Sequence, residues 1–206
     1  MTPESVDPTQ HIFRSPSLQS LVNEAIQFLN NTPIHLLPPV NRFPGVGVYV
    51  LYYIGSFAVY EHIAVRNTPQ CTQPIYVGKA VPAGWRTARV SSHEVGWTLY
   101  GRLREHARSI KQTNNLSVED FLCRFVILQG AEADLIAAVE AQLIRLYTPL
   151  WNTVVDGFGN HDPGKGRYNQ APSEWDILHP GRPWVARLTG ILPLLDRIIE
   201  KIEQTK

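Results

Sequence analysis

The chain has 206 residues, enough for one domain with extensions, and its 44% apolar content supports a true core. A net charge of +1 excludes a polycation, and two cysteines (Cys71 and Cys123) make neither a disulfide framework nor a zinc cluster. No apolar run reaches membrane-spanning length and no secretory leader is evident, so the expectation is a cytoplasmic protein with no membrane partner.

Residues 1–14 are polar and read as loose. Ser15 or Ser17 can cap a helix with Pro16 in its first turn; Leu18, Leu21, Val22, Ala25, Ile26 and Leu29 then recur at helical spacing up to Asn30 and Asn31. Four prolines make 32–45 an extended linker. Residues 46–54 form a strand too apolar to be half-exposed, 55–73 a loop or an extra β segment, and 74–78 a second strand. Residues 81–97 read as an inserted loop. A helix over 99–111 carries an apolar stripe of Leu99, Leu103 and Ile110, and 121–128 form a third strand. Ala131 to Tyr147 form a long helix with Leu135, Val139, Leu143 and Leu146 on its buried side, stopped by Pro149. A glycine-rich loop at 156–167, a tryptophan- and proline-rich segment and a last helix from Ile191 to Ile202 complete the chain; no internal repeat is visible. The expected fold class is α+β: a small antiparallel sheet of three strands, open to extension, flanked by helices. In that reading 1–44 are an N-terminal helical arm and linker, 45–153 the core with inserted loops, and 154–206 a glycine-rich loop and helix packing on that core.

Charge is segregated along the chain. Residues 1–78 hold three basic and four acidic groups, whereas 79–111 hold seven basic groups (Lys79, Arg86, Arg89, Arg102, Arg104, Arg108, Lys111) and two acidic ones. A solvated helix face is the ordinary explanation of such a run. A polyanion, however, responds to local charge and not to the total. Arginine makes up 14 of the 19 basic residues, and its planar fork suits phosphate and guanine.

Two tyrosines stand beside glycines in apolar, β-branched runs: Gly47-Val48-Tyr49 and Tyr76-Val77-Gly78-Lys79-Ala80. A buried strand tyrosine is usually core filler. Tyr53-Ile54-Gly55 looks like a further copy but lies only four residues after Tyr49, too close for a strand to turn back, so it shares the strand of Tyr49. Tyr76 can lie on a partner strand. Arg102 and His106 are four apart on the basic helix and share a face. Glu140 sits at the edge of the buried stripe of the long helix, and Asn152 follows its stop.

Tyrosine, tyrosine, arginine, histidine, helical glutamate and asparagine, in that order over about residues 45–153, resemble the GIY-YIG nuclease superfamily. Both halves of the motif carry Ile-to-Val changes and the hairpin between them is longer than usual. The arms and inserted loops resemble the GIY-YIG type II restriction endonucleases, in particular the kind that cuts the palindrome CCGCGG. The resemblance implies hydrolysis of double-stranded DNA with one divalent metal, Mg2+, held by Glu140. It implies that Arg102 clamps the scissile phosphate and that Tyr49, its pKa lowered by nearby positive charge, takes the proton of the attacking water. Tyr76 would orient water or phosphate, His106 would be a hydrogen-bond partner or proton relay, and Asn152 would hold the glutamate or the phosphate. A homodimer on a palindromic site and a companion DNA methyltransferase follow from the same resemblance. The expected DNA contacts are Lys79, Arg86, Arg89, Arg104, Arg108, Asn160, His161, Lys165 and Arg167. The alternatives are a structure-specific repair or recombination nuclease and a non-catalytic DNA-binding module. The glycine-rich loop lacks the spacing of a nucleotide triphosphatase loop, which argues against ATP.

Overall fold

In the computed structural model, which describes residues 6–81, 84–85 and 96–205, one strand organises everything else. Strand β2 (Gly47–Tyr53) is buried along its whole length. It is flanked by β3 (Tyr76–Ala80) on one side and β4 (Phe121–Ile127) on the other, both antiparallel to it. Because side chains alternate along a strand, Tyr49, Leu51 and Tyr53 face one layer while Val48, Val50 and Tyr52 face the other. Both layers are apolar, which is why the segment carries no polar alternation. Tyr49 and Tyr53 lie on one strand, as their spacing requires.

The sheet has four strands among the described residues, not the three expected. His35 and Leu36, inside the proline-rich linker, form β1 and pair with Cys123 and Leu122 of β4. The order is β1-β4-β2-β3. Two residues between prolines give no periodicity, so this edge strand is made by pairing and not by local pattern.

Helix α1 (Pro16–Asn31) is capped by Ser15, whose hydroxyl accepts from the Leu18 N–H. Its Val22, Ile26 and Leu29 pack with α4 (Ile136–Tyr147) on the second layer, while Leu18 and Leu21, expected in the stripe, are exposed. Residues 61–67 form helix α2 (Glu61–Asn67), neither loop nor strand. Tyr60, Ile63 and Ala64 bury themselves against Tyr53 and Phe121, so packing overrides the β-branched composition. Helix α3 (Thr98–Lys111) lies on the first layer, with Leu99, Leu103, His106, Ala107 and Ile110 buried. Its start is tied to the start of β2 by the Leu99 N–H, which donates to the Gly45 carbonyl at 3.0 Å.

The long helix expected from Ala131 begins as a 3-10 turn (Gly130–Leu135), and α4 proper buries Ile136, Val139 and Leu143; Leu146 is exposed. Thr148 ends it in the left-handed region at φ 41°, and Pro149 opens a short helix α5 (Leu150–Thr153). Beyond it, α6 (Glu174–Leu178) and α7 (Leu195–Glu203) add Trp175, Leu178, Ile198 and Ile202 to the first-layer core. The last helix starts four residues later than its apolar pattern indicates, after Pro193.

Candidate active site

The sheet register explains both motif glycines. Gly47 has φ +156°, and a Cβ there would meet the Val126 carbonyl oxygen at 1.9 Å. Gly78 lies opposite Tyr49, and a Cβ on it would fall 2.3 Å from Tyr49 Oη. The missing side chain lets the Tyr49 ring lie flat across β3 toward α3. There Oη meets His106 Nε2 at 2.6 Å.

Tyr76 is on the same face of β3 as Gly78, with its ring centroid 6.3 Å from that of Tyr49 and 5.2 Å from the His106 ring. Arg102, one turn before His106 on α3, reaches the same place. From the opposite face of the sheet, Lys79 pairs through its ammonium with Glu140 of α4. The site therefore lies across the outer edge of β3. Tyr49, Tyr76, Lys79, Arg102, Glu105 and Glu140 line one pocket of about 540 Å3, large enough for a phosphodiester and its water.

Electrostatics follow from burial. Tyr49 has no solvent exposure, and desolvation holds its phenol well above the ordinary tyrosine range; Tyr76 adds to this and Arg102 offsets only part. The expectation of a lowered Tyr49 pKa is thus overturned for this state, because burial outweighs the nearby cation. Tyr76 is raised for the same first reason, again partly offset by Arg102. His106 is pushed well below its ordinary value, first by burial and then by the charge of Arg102, so it is neutral. Neutral, it can accept at Nε2 the hydrogen that Tyr49 donates, in the tautomer protonated at Nδ1.

Arg102 is already engaged. Its Nη1 donates to Glu105 Oε2 at 2.9 Å and contacts His161 Nε2, and its Nη2 donates to the Gly159 carbonyl at 3.4 Å. Asn152 departs from expectation. Its hydrogen bonds go to the backbone and not to Glu140: its Oδ1 accepts from the Val77 N–H at 2.8 Å and its Nδ2 donates to the Val77 carbonyl at 2.9 Å. β3 is an edge strand, and Asn152 takes the place of the missing neighbour.

Of the expected DNA contacts, Arg86 and Arg89 lie outside the described residues. Arg104 and Arg108 are exposed on the outer side of α3 and line a shallow hollow of about 260 Å3 with Gly101 and Glu105. Asn160, Lys165 and Arg167 are exposed on the glycine-rich loop, while His161 is turned onto Arg102. Three residues of the site were not singled out from sequence. Glu105 carries a usable signal, since it stands three positions from Arg102 on the same helix. Phe158 and Gly159 carry none beyond the glycine content of their loop.

The donor chemistry fits a hard cation. Among the described residues no three His, Cys, Asp or Glu side chains gather into a cluster, and the pocket offers the Glu140 carboxylate and the Glu105 carboxylate that already pairs with Arg102. Both carboxylates carry a cationic partner here, Glu140 that of Lys79, and a single carboxylate released beside a phosphate-sized space suits magnesium, which keeps several of its own waters.

Residues 41–206 match the family model described as the Eco29kI GIY-YIG domain. No curated protein matches the chain.

Proposed function

The chain belongs to the Eco29kI GIY-YIG domain family, whose members are endonucleases, and on that premise we propose that it is a type II restriction endonuclease. It cuts both strands of a palindromic DNA site as a homodimer, with one Mg2+ per active site and a companion methyltransferase protecting host DNA. Residues 45–153 are the catalytic core in this reading, and 1–44 and 154–206 pack on it.

The observation that carries the proposal is convergence. Two phenols, a guanidinium, an ammonium and two carboxylates arrive from β2, β3, α3 and α4 at a single pocket. Packing alone does not require that set.

The residues divide the chemistry among them. Tyr49 keeps its proton and donates it to His106 Nε2, which leaves an Oη lone pair for the attacking water. As that water loses its proton to Oη, the Tyr49 proton passes to Nε2, so the buried site never holds a free phenolate. Arg102 leaves Glu105 for the scissile phosphate, and Tyr76 orients water or phosphate beside it. Glu140 would hold the divalent ion, with Lys79 displaced toward the DNA backbone. A divalent ion held there would supply positive charge to the phosphate and its leaving oxygen. Asn152 keeps β3, and with it Tyr76, in place.

Digestion of plasmid DNA with magnesium tests the reading. Discrete fragments whose ends map to one palindrome, with CCGCGG the expectation from resemblance, support it. Nicking confined to lesions or branches indicates a repair nuclease, and binding without cutting indicates a non-catalytic module.

A further inference from the structure

One buried charge lies outside the machinery described so far. Arg182 is 2% exposed, and its ion pair with Asp176, Nε to Oδ1 at 2.6 Å, is shut away from solvent on both sides. Such a pair is costly to bury unless its remaining donors are satisfied. Those donors all go to one short loop: Nη1 to the carbonyls of Phe158 (3.2 Å) and Asn160 (2.9 Å), and Nη2 to that of Gly157 (3.0 Å). The cation is also packed against Trp175 and Trp184, with ring centroids at 4.7 and 4.8 Å.

The other side of that loop packs against side chains of the candidate site. The Phe158 ring stacks on His106 at 4.6 Å and meets Tyr76 edge-on at 4.9 Å. A Cβ on Gly159 would stand 3.0 Å from Tyr76 Oη, and the Gly159 carbonyl and His161 both meet Arg102. Three of the loop's groups, the Phe158 ring, the Gly159 carbonyl and the His161 ring, thus touch three of the residues assigned to the reaction.

We infer that Arg182 is a positioning residue: its guanidinium, fixed by Asp176, holds the 157–161 loop against Tyr76, His106 and Arg102. The inference rests on the nuclease reading for its effect on rate, but not for its geometry. A lysine cannot replace the fork, because one ammonium cannot serve a carboxylate and three carbonyls set around a plane.

Arg182→Lys keeps the charge and tests the geometry. The expected result is a folded protein whose single-turnover cutting falls by about 10²-fold, while its DNA affinity changes little, since small misplacement acts on the chemical step. Its second readout is the histidine titration by NMR. Burial and the charge of Arg102 hold His161 below the ordinary histidine range. In Arg182→Lys that titration should rise toward the ordinary range as the loop leaves Arg102. A His161 titration that stays put in the folded variant overturns the inference, and so does wild-type cutting. If the lysine variant does not fold, Asp176→Asn, which keeps the guanidinium and removes its anchor charge, must shift both readouts in the same directions. Failure of the wild type to cut any DNA would defeat the nuclease reading alone, because the titration still reports what Arg182 holds.

Discussion

Tyr49 Oη and His106 Nε2 stand 2.6 Å apart between β2 and α3, both without meaningful contact with solvent. The phenol is held up and the imidazole down by the same burial, so the proton stays on oxygen until a base is needed. Tyr49→Phe removes the relay and keeps the ring that packs over Gly78. Cutting should fall by about 10²–10⁴-fold, the usual scale for loss of a general base, with DNA binding retained. Single-turnover cleavage beside a filter-binding isotherm checks it; full activity would remove Tyr49 from the reaction.

Asn152→Ala tests the edge clamp. The variant leaves the Val77 N–H and carbonyl without their partner on the outer edge of β3. Two such losses in a half-buried setting cost about 1–3 kcal/mol of stability. A thermal or urea melt should show that loss, and cutting should fall with it because Tyr76 precedes Val77 on the strand. An unchanged melting curve with abolished cutting would point instead to direct contact with the reacting groups.

What the sequence carries and what it hides divide along one line. Strand period and glycine spacing fix Tyr49 and Tyr76 on neighbouring strands and rule out Tyr53, because those are local rules. Helical spacing likewise places Arg102 and His106 on one face. The contents of residues 55–73 are not legible in this way. Tyr60, Ile63 and Ala64 are helical only because Tyr53 and Phe121 offer them a surface. β1 is set by its partner Cys123, the role of Asn152 by an edge that exists only once β3 has paired, and the reach of Arg182 by a loop more than twenty positions earlier. In each of these cases the deciding neighbour is distant along the chain. DNA contact by the inserted loop at 81–97 stays an expectation, since Arg86 and Arg89 fall outside the described residues.

Glu140→Gln should separate ion binding from DNA binding. Lys79 now neutralises Glu140, and a divalent ion must compete with that ammonium. Without the carboxylate, magnesium should no longer shift the melting temperature, and cutting should fall by about 10²-fold or more, since a bound ion supplies several kcal/mol. Lys79→Ala should act in the opposite sense on the ion alone: tighter magnesium binding by calorimetry. Equal magnesium affinity in wild type and Lys79→Ala would show that the pair does not guard the site.

Acid sensitivity should come from two buried histidines. His179 Nε2 accepts from the Tyr60 hydroxyl at 2.5 Å, its Nδ1 donates to Asn115 Oδ1 at 2.9 Å, and burial pushes its pKa down to about 3. His106 is lowered in the same direction. Unfolded, both titrate near the ordinary histidine value of about 6.5. Below that pH the unfolded chain takes up protons that the folded protein refuses. Their contribution is therefore complete above about pH 6.5 and is lost progressively as pH falls toward the folded values. With its folded value near 3, His179 contributes a slope approaching about 1.4 kcal/mol per pH unit once pH falls below about 6, and His106 adds to it in the same direction. His179→Gln cannot titrate and should make the acid-side slope shallower, while Tyr49 and His106 remain as they are. Urea melts of both proteins at pH 7, 6 and 5 decide the matter. Parallel stability curves would mean that His179 is not held neutral by the core.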